Sequence, residues 1–460
     1  MSHWLQAQPP LSFLPPAFNP WVLRLTCLAL PGWLQLRTQV AQIETRNLET
    51  LAKLYQEFQT GKVRFLLAFR HPSADDPFSL LYLLNLAVPQ AARRFGIPLQ
   101  PPTHAHFIYD RGIPLWAGQF VTWLYPRLGA TPIQRGKVDR TGLRSARDLF
   151  MHGRFPLAAA PEGGTNGHGE VVSPLEPGIA QLGLWCVEDL AAAGQQAEVM
   201  LVPLGVQYSY VNPPWAAIDR LLSQMEADCG LSVVPSPPSQ EDQTRRVRLL
   251  RLGEHLLRTM EEFYHRFYDQ PLPEESSASA PTSDAAFSQR LQTLMNTALR
   301  VAEQYFDLPV KGTVIDRCRR LEQAGWDRIF REDFKQPERL PPLVRGLADR
   351  VAEEASLRMW HMRLVESFVA VTGNYVQERP TAERVAETAL LLWDTLAKIK
   401  GNPRPRPRLG RQRVLLTVGT PLSVSERARS MQGRRAAKQV VADLTRDLQT
   451  SLESLIVPLS

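Results

Sequence analysis

Between Val63 and Tyr210 five short apolar runs recur, each cut off by polar or glycine-bearing residues and each separated from the next by a longer segment. They are Val63–Phe69, Phe107–Tyr109, Thr131–Ile133, Pro156–Ala160 and Val199–Val202. A run so short and apolar reads as a strand covered on both faces, and strands alternating with helices assemble a parallel sheet. The expected fold class is therefore α/β: a mixed, largely parallel sheet flanked by helices. In such sheets the ligand crevice lies beyond the carboxyl ends of the strands, so residues just past each run are where chemistry is sought.

The rest of the chain divides around this core. Residues 1–60 read as an N-terminal helical segment, with Trp21 to Phe58 forming one or two helices, the second carrying Val40, Ile43, Leu48, Leu51 and Leu54. Residues 61–213 are the α/β core. Residues 214–409 read as a large all-α insertion, with a flexible linker near 270–285. Residues 410–460 offer one strand, Arg413 to Thr417, and one helix, Arg434 to Leu455. That pair cannot bury itself alone and is expected to return and complete the core.

Composition excludes a few classes. Charge is +7 from 53 Lys+Arg against 46 Asp+Glu, and 44% of residues are hydrophobic, which is ordinary for a globular chain. The basic excess admits anionic lipid, phosphorylated substrates or nucleic acid as partners. The four cysteines, Cys27, Cys186, Cys229 and Cys318, form no CxxC pair and point to a reducing compartment. The apolar stretch Trp21–Leu34 is interrupted by Arg24 and Pro31 and is short for a bilayer span. A GxSxG elbow, a P-loop and an HExxH motif are missing, which disfavours serine-hydrolase, NTP-dependent and common zinc chemistry. His104 and His106 stand two apart with no further ligand cluster, and no metal site is assigned.

Four loops could carry chemistry. The first run ends at Arg70-His71-Pro72-Ser73-Ala74-Asp75-Asp76. If a helix starts there, Asp76 can fold back onto the imidazole Nδ1, fixing the tautomer and leaving Nε2 to take a proton from an attacking hydroxyl. Asp75 or Asp76 serving only as a helix cap is the competing reading. Gly129 to Lys137 places Arg135 and Lys137 at a strand end, where they can clamp a phosphate. Pro161-Glu162-Gly163-Gly164 opens a loop with four glycines in nine residues. Its backbone N–H groups, at Gly163 and Gly164, can approach an oxyanion, and Glu162 offers an acceptor for a substrate hydroxyl. Val202-Pro203-Leu204-Gly205 ends the last strand and can wall a crevice.

Taken together and in this order, the four loops resemble the motifs of the glycerolipid acyltransferases, which acylate glycerol 3-phosphate and lysophosphatidic acid. His71, Ser73 and Asp76 match the family's Asn-His-x-Ser-x-x-Asp pattern except that Arg70 stands in place of Asn. Gly129 to Arg135 is similar to the second motif, whose Arg contacts the acceptor phosphate. Pro161-Glu162-Gly163 matches the third, but Gly164 is interposed and the usual Arg does not follow. Leu201 to Gly205 is similar to the fourth, and Val418-Gly419-Thr420-Pro421 to a late strand of the same domain. The match covers about half of the chain and leaves the insertion unaccounted for.

The resemblance implies O-acyl transfer from an acyl thioester, acyl-CoA or acyl-carrier protein, to lysophosphatidic acid. His71 is then general base and Asp76 its orienter. Arg135, Lys137, Ser73, Glu162, Gly163 and Gly164 are the substrate-binding set, with Arg70 or Arg140 as further sources of charge and Thr165, Asn166 and His168 as headgroup contacts. It implies no cofactor beyond the acyl donor, a cytoplasmic enzyme peripheral at the inner face of a membrane, and no nucleic-acid partner. Glycerol 3-phosphate or a non-phosphorylated acceptor is the alternative. A catalytically inactive membrane-surface scaffold is the alternative of another class. The insertion reads equally as a lid, a carrier-protein docking surface or an oligomerisation element.

Overall fold

Alternation within one strand sets the layers. The computed structural model describes residues 6–135, 138–233, 241–271, 284–369, 375–401, 405–429 and 433–459. In β2 (Val63–Phe69), Phe65, Leu67 and Phe69 point into one core with Leu51, Tyr55, Leu80, Val202, Leu204 and Val206. Leu66 and Ala68 point into a second core with Leu157, Ala159, Leu182, Leu184 and Leu201. Side chains on a strand alternate with period two, so a continuous apolar run supplies both faces of a sheet sandwiched between helices.

The sheet is built from β1 (Val40–Arg46), β2, β3 (His106–Asp110), β4 (Thr131–Ile133), β5 (Leu157–Ala159), β6 (Glu198–Tyr210), β7 (Gln412–Val418) and β8 (Leu422–Ser423). Its order is β1-β7-β6-β2-β5-β3-β4, with β8 on β6. Neighbours from β6 to β4 run parallel, as do β1 and β7, whereas β7 and β8 lie antiparallel to β6. Residues 13–212 and 410–460 form this α/β unit. The chain therefore comes back after residue 409 to place β7 beside β6 and to lay the helix Gly433–Ser454 on the second core.

Residues 213–409, joined by 6–12, form a separate helical unit. Gln8 bridges to this unit through Gln8 N to Ile329 O at 2.7 Å and Arg331 N to Gln8 O at 3.0 Å. Its core gathers Met260, Tyr264, Leu299, Leu321, Ala352 and Met359. Of the linker expected near 270–285, residues 272–283 lie outside the described residues, and residues 284 and 285 begin the helix Asp284–Phe306.

One expected element is corrected. Val40 to Arg46 is not helical but is the strand β1, paired only with β7. The helix α1 (Pro20–Arg37) ends before it, and α2 (Leu48–Gln59) follows it. Val40 and Ile43 fit a helical spacing, but Gln42, Glu44 and Arg46 alternate with smaller or apolar residues, and an edge strand with one neighbour tolerates that polarity. Among the described residues, no helix is long and apolar enough to cross a membrane.

Candidate active site

The alternation of β2 continues past Phe69 and sends Arg70 and His71 to different surroundings. The chain then turns into α3 (Asp76–Tyr82), which begins at Asp76. Ser73 shapes this turn: its carbonyl accepts from Asp76 N at 3.2 Å and its Oγ accepts from Asp75 N at 3.1 Å. The result carries the Asp76 carboxylate back to the imidazole, with Asp76 Oδ2 2.8 Å from His71 Nδ1.

Asp76 is fully buried, whereas the His71 side chain is 22% exposed. The carboxylate is fixed at both oxygens. Oδ2 also accepts from Ser73 N at 3.0 Å, and Oδ1 accepts from the Tyr208 hydroxyl at 2.6 Å. Burial, together with the negative charge of Asp76, pushes the Tyr208 phenol well above its ordinary pKa, so it remains a donor. A carboxylate held this way presents one oxygen to Nδ1 and keeps the proton there. Nε2 then has no protein partner among the described residues and is the basic nitrogen.

Tyr208 was not singled out from the sequence. Pro203 and Gly205 predict a strand end after Val202, yet β6 runs on to Tyr210. Gly205 is there for space: a Cβ on it would lie 2.9 Å from the Leu455 Cβ. The alternation Val202, Leu204, Val206, Tyr208 was the available signal, since it carries the phenol to the same face as Asp76.

The glycine loop after β5 is tied directly to His71. Glu162 is buried, and its Oε1 accepts from His71 N at 2.8 Å. Its Oε2 accepts from Asn166 Nδ2 at 2.8 Å and from Ser173 N at 2.9 Å. Three protein donors thus occupy the carboxylate, and Glu162 braces the loop rather than presenting an open acceptor. Asn166 is likewise engaged, its N–H donating to His71 O at 3.2 Å and its Oδ1 accepting from His168 N at 2.9 Å. His168 is buried. Of the three headgroup candidates only Thr165 is exposed.

Arg70 is wholly buried. Its Nη1 donates to Gly169 O at 2.6 Å and Val206 O at 3.3 Å, and its Nη2 to His168 O at 3.0 Å and Val171 O at 2.6 Å. It cannot supply charge to a substrate phosphate, because the guanidinium is spent on four backbone carbonyls. The same contacts tie residues 168–171 of the glycine loop to the end of β2.

Arg135 comes to the other side of this loop. Its Nε donates to Asp110 Oδ2 at 2.6 Å, and its Nη1 donates to Gly163 O. About a quarter of the side chain stays exposed. A Cβ built on Gly164 would lie 3.4 Å from Arg135 Nη1, so the glycine leaves room for the guanidinium beside the loop. Gly163 adopts φ +69°, which favours glycine, and its N–H closes a turn onto Ala160 O at 3.3 Å. The Gly163 N–H is therefore engaged, and of the two expected oxyanion donors Gly164 is the one whose N–H meets no acceptor among the described residues. Asp110, at the end of β3, is a second position that sequence reading missed. Lys137 lies outside the described residues.

His104 and His106 are buried, and one ring nitrogen of each meets a backbone carbonyl: His104 Nε2 lies 2.9 Å from Leu128 O and His106 Nδ1 2.7 Å from Gly129 O. Burial lowers the His104 pKa to about 4, so its ring is neutral at physiological pH. Gly129 is required here, with φ +76° and a Cβ position only 2.8 Å from His106 Nδ1. No three His, Cys, Asp or Glu side chains among the described residues form a metal-binding group.

His71, Asp76, Ser73, Glu162, Gly163, Gly164 and Arg135 are thus brought to one end of the sheet, at the carboxyl ends of β2, β5 and β4, with hydrogen bonds joining His71 to Asp76 and Glu162, Ser73 to Asp76, and Arg135 to Gly163. The arrangement holds an oriented base, a glycine turn and a cation. No family model, curated protein or solved structure matches the chain.

Proposed function

We propose that the chain is an O-acyltransferase of the glycerolipid type, moving a fatty acyl group from an acyl thioester to lysophosphatidic acid. The observation that carries this reading is the 2.8 Å His71 Nδ1–Asp76 Oδ2 pair at the end of β2, with Nε2 left for a hydroxyl. Nε2 takes the proton as the acceptor oxygen attacks the thioester carbonyl carbon. The carbon–oxygen bond forms, the carbon–sulfur bond breaks, and the departing thiolate receives that proton from the imidazolium. The Gly164 N–H is the donor for the tetrahedral oxyanion. Arg135, partly exposed beside the glycine turn, is the cation for the acceptor phosphate.

Work at a cytoplasmic membrane face fits the two faces of α1. Leu23, Leu30 and Leu34 are buried against the sheet, whereas Trp21, Leu25, Leu28 and Leu36 form an exposed stripe at helical spacing. Arg24 lies over the Trp21 ring at 4.9 Å and Arg37 over Trp33 at 5.9 Å, placing cations beside apolar surface as an interfacial helix does. Trp33 also packs 5.6 Å from Phe78 of α3, so the stripe is continuous with the helix that carries Asp76. Replacing Leu25 and Leu28 together by Glu is expected to weaken co-sedimentation with anionic vesicles at least about tenfold, since each buried leucine contributes roughly 1.5–3 kcal/mol. Unchanged sedimentation would remove α1 from the membrane contact.

The direct test is turnover by the full chain with acyl-CoA and acyl-carrier protein as donors, against lysophosphatidic acid, glycerol 3-phosphate and a non-phosphorylated lysolipid. Transfer to lysophosphatidic acid with stoichiometric release of free thiol is expected. Transfer only to the non-phosphorylated lysolipid would reassign the acceptor. Folded protein that turns over no pairing would favour the scaffold reading.

A further inference from the structure

The helical unit contains an apolar cavity of about 130 Å³ that opens to solvent. Leu256, Met260, Leu291, Met295, Leu364 and Leu392 are among its walls. Along the helix Glu241–Tyr268 the lining runs from Arg246 to Tyr264. At about 1.5 Å per residue that is a slot of roughly 27 Å. One leaflet's share of a bilayer's hydrocarbon core is about 15 Å, so the slot is long enough for a whole lipid tail and its head.

Two polar features break the apolar wall. Arg246 is the only charged residue among the described lining residues, and it forms no ion pair among the described residues. Thr388 Oγ1 is buried in the same lining with no hydrogen-bond partner, a hydroxyl available to a ligand oxygen. Two methionines, Met260 and Met295, add side chains that adjust to a flexible chain.

We infer that the helical unit binds one long-chain monoanionic amphiphile, its tail in this slot and its carboxylate at Arg246. This site is made entirely of residues 246–399 and does not depend on the acyl-transfer reading. It gives the insertion a binding role of its own.

The test uses the full chain, freed of lipid, with palmitate as probe. One palmitate per chain is expected, with hexadecyltrimethylammonium, which has the same tail and the opposite charge, binding at least about tenfold more weakly. Arg246→Glu should reverse that preference, and Met295→Trp should weaken both ligands about tenfold or more. Because a tryptophan in the wall could disturb folding, a diazirine-bearing palmitate is also crosslinked to the wild-type protein and mapped by mass spectrometry. Labels within 249–260, 291–298 and 388–392 are expected. Labels confined to the α/β unit would overturn the inference while leaving the proposed activity standing. Absence of palmitate binding, or equal binding of both charges, would overturn it as well.

Discussion

The proposed acyl transfer is expected to fall by about 10²–10⁴-fold in His71→Ala, the usual contribution of a positioned general base, with folding and vesicle binding unchanged. The stability half of that expectation rests on what the mutation leaves. His71 holds the glycine loop through its backbone, donating from N to Glu162 Oε1 and accepting at O from Asn166 N, and neither bond needs the imidazole. Asp76 loses one partner but keeps Ser73 N and the Tyr208 hydroxyl. The buried carboxylate is therefore still hydrogen-bonded, and its desolvation is still offset. The loss should appear in kcat with any acceptor, since the proton must be removed whichever hydroxyl attacks. Turnover that survives in a folded His71→Ala protein would end the general-base mechanism, and chemical denaturation of the same sample separates that outcome from simple unfolding.

The reach of sequence reading followed the physics of each element. β2, β4 and β5 were legible because short apolar runs with abrupt polar ends have few other uses. The His71–Asp76 pair was legible because a strand ending in a tight turn leaves a carboxylate five residues on little choice but to fold back. β1 was not, because Val40 and Ile43 suit a helix and the strand's one neighbour, β7, arrives from residues 412–418, far along the chain. Tyr208 and Asp110 were missed for a related reason: each acts on a residue brought near only by sheet order, Asp76 from β2's end and Arg135 from β4's. Glu162 stands out in the sequence but its contacts to His71 N, Asn166 and Ser173 N do not, since a glycine-rich loop cannot show in sequence that its acidic residue points inward to its own backbone.

Arg70→Asn, which installs the residue that stands at this place in the acyltransferase pattern, is expected to destabilise the α/β unit by on the order of 4 kcal/mol and to abolish the proposed activity. An asparagine side chain is too short to span the carbonyls of His168, Gly169, Val171 and Val206, all of which Arg70 now reaches. Hydrogen bonds from a charged donor contribute about 1.5–3 kcal/mol each, and a buried carbonyl left unpaired costs a further 1–3 kcal/mol, so even a strongly non-additive sum is large. The chemical consequence follows from the same carbonyls. Three of them, those of His168, Gly169 and Val171, belong to the segment that carries Ser173 and Asn166 to Glu162, and Glu162 in turn holds the His71 backbone. Freeing that segment should misplace both the base and the Gly164 N–H. Thermal unfolding and limited proteolysis within residues 162–173 check the two halves together, with earlier melting and faster cleavage expected. Arg70→Lys should fall between, because an ammonium keeps the charge but cannot fork to four acceptors. A stable, active Arg70→Asn protein would mean that Glu162 and Asn166 order the loop by themselves and that the arginine is incidental.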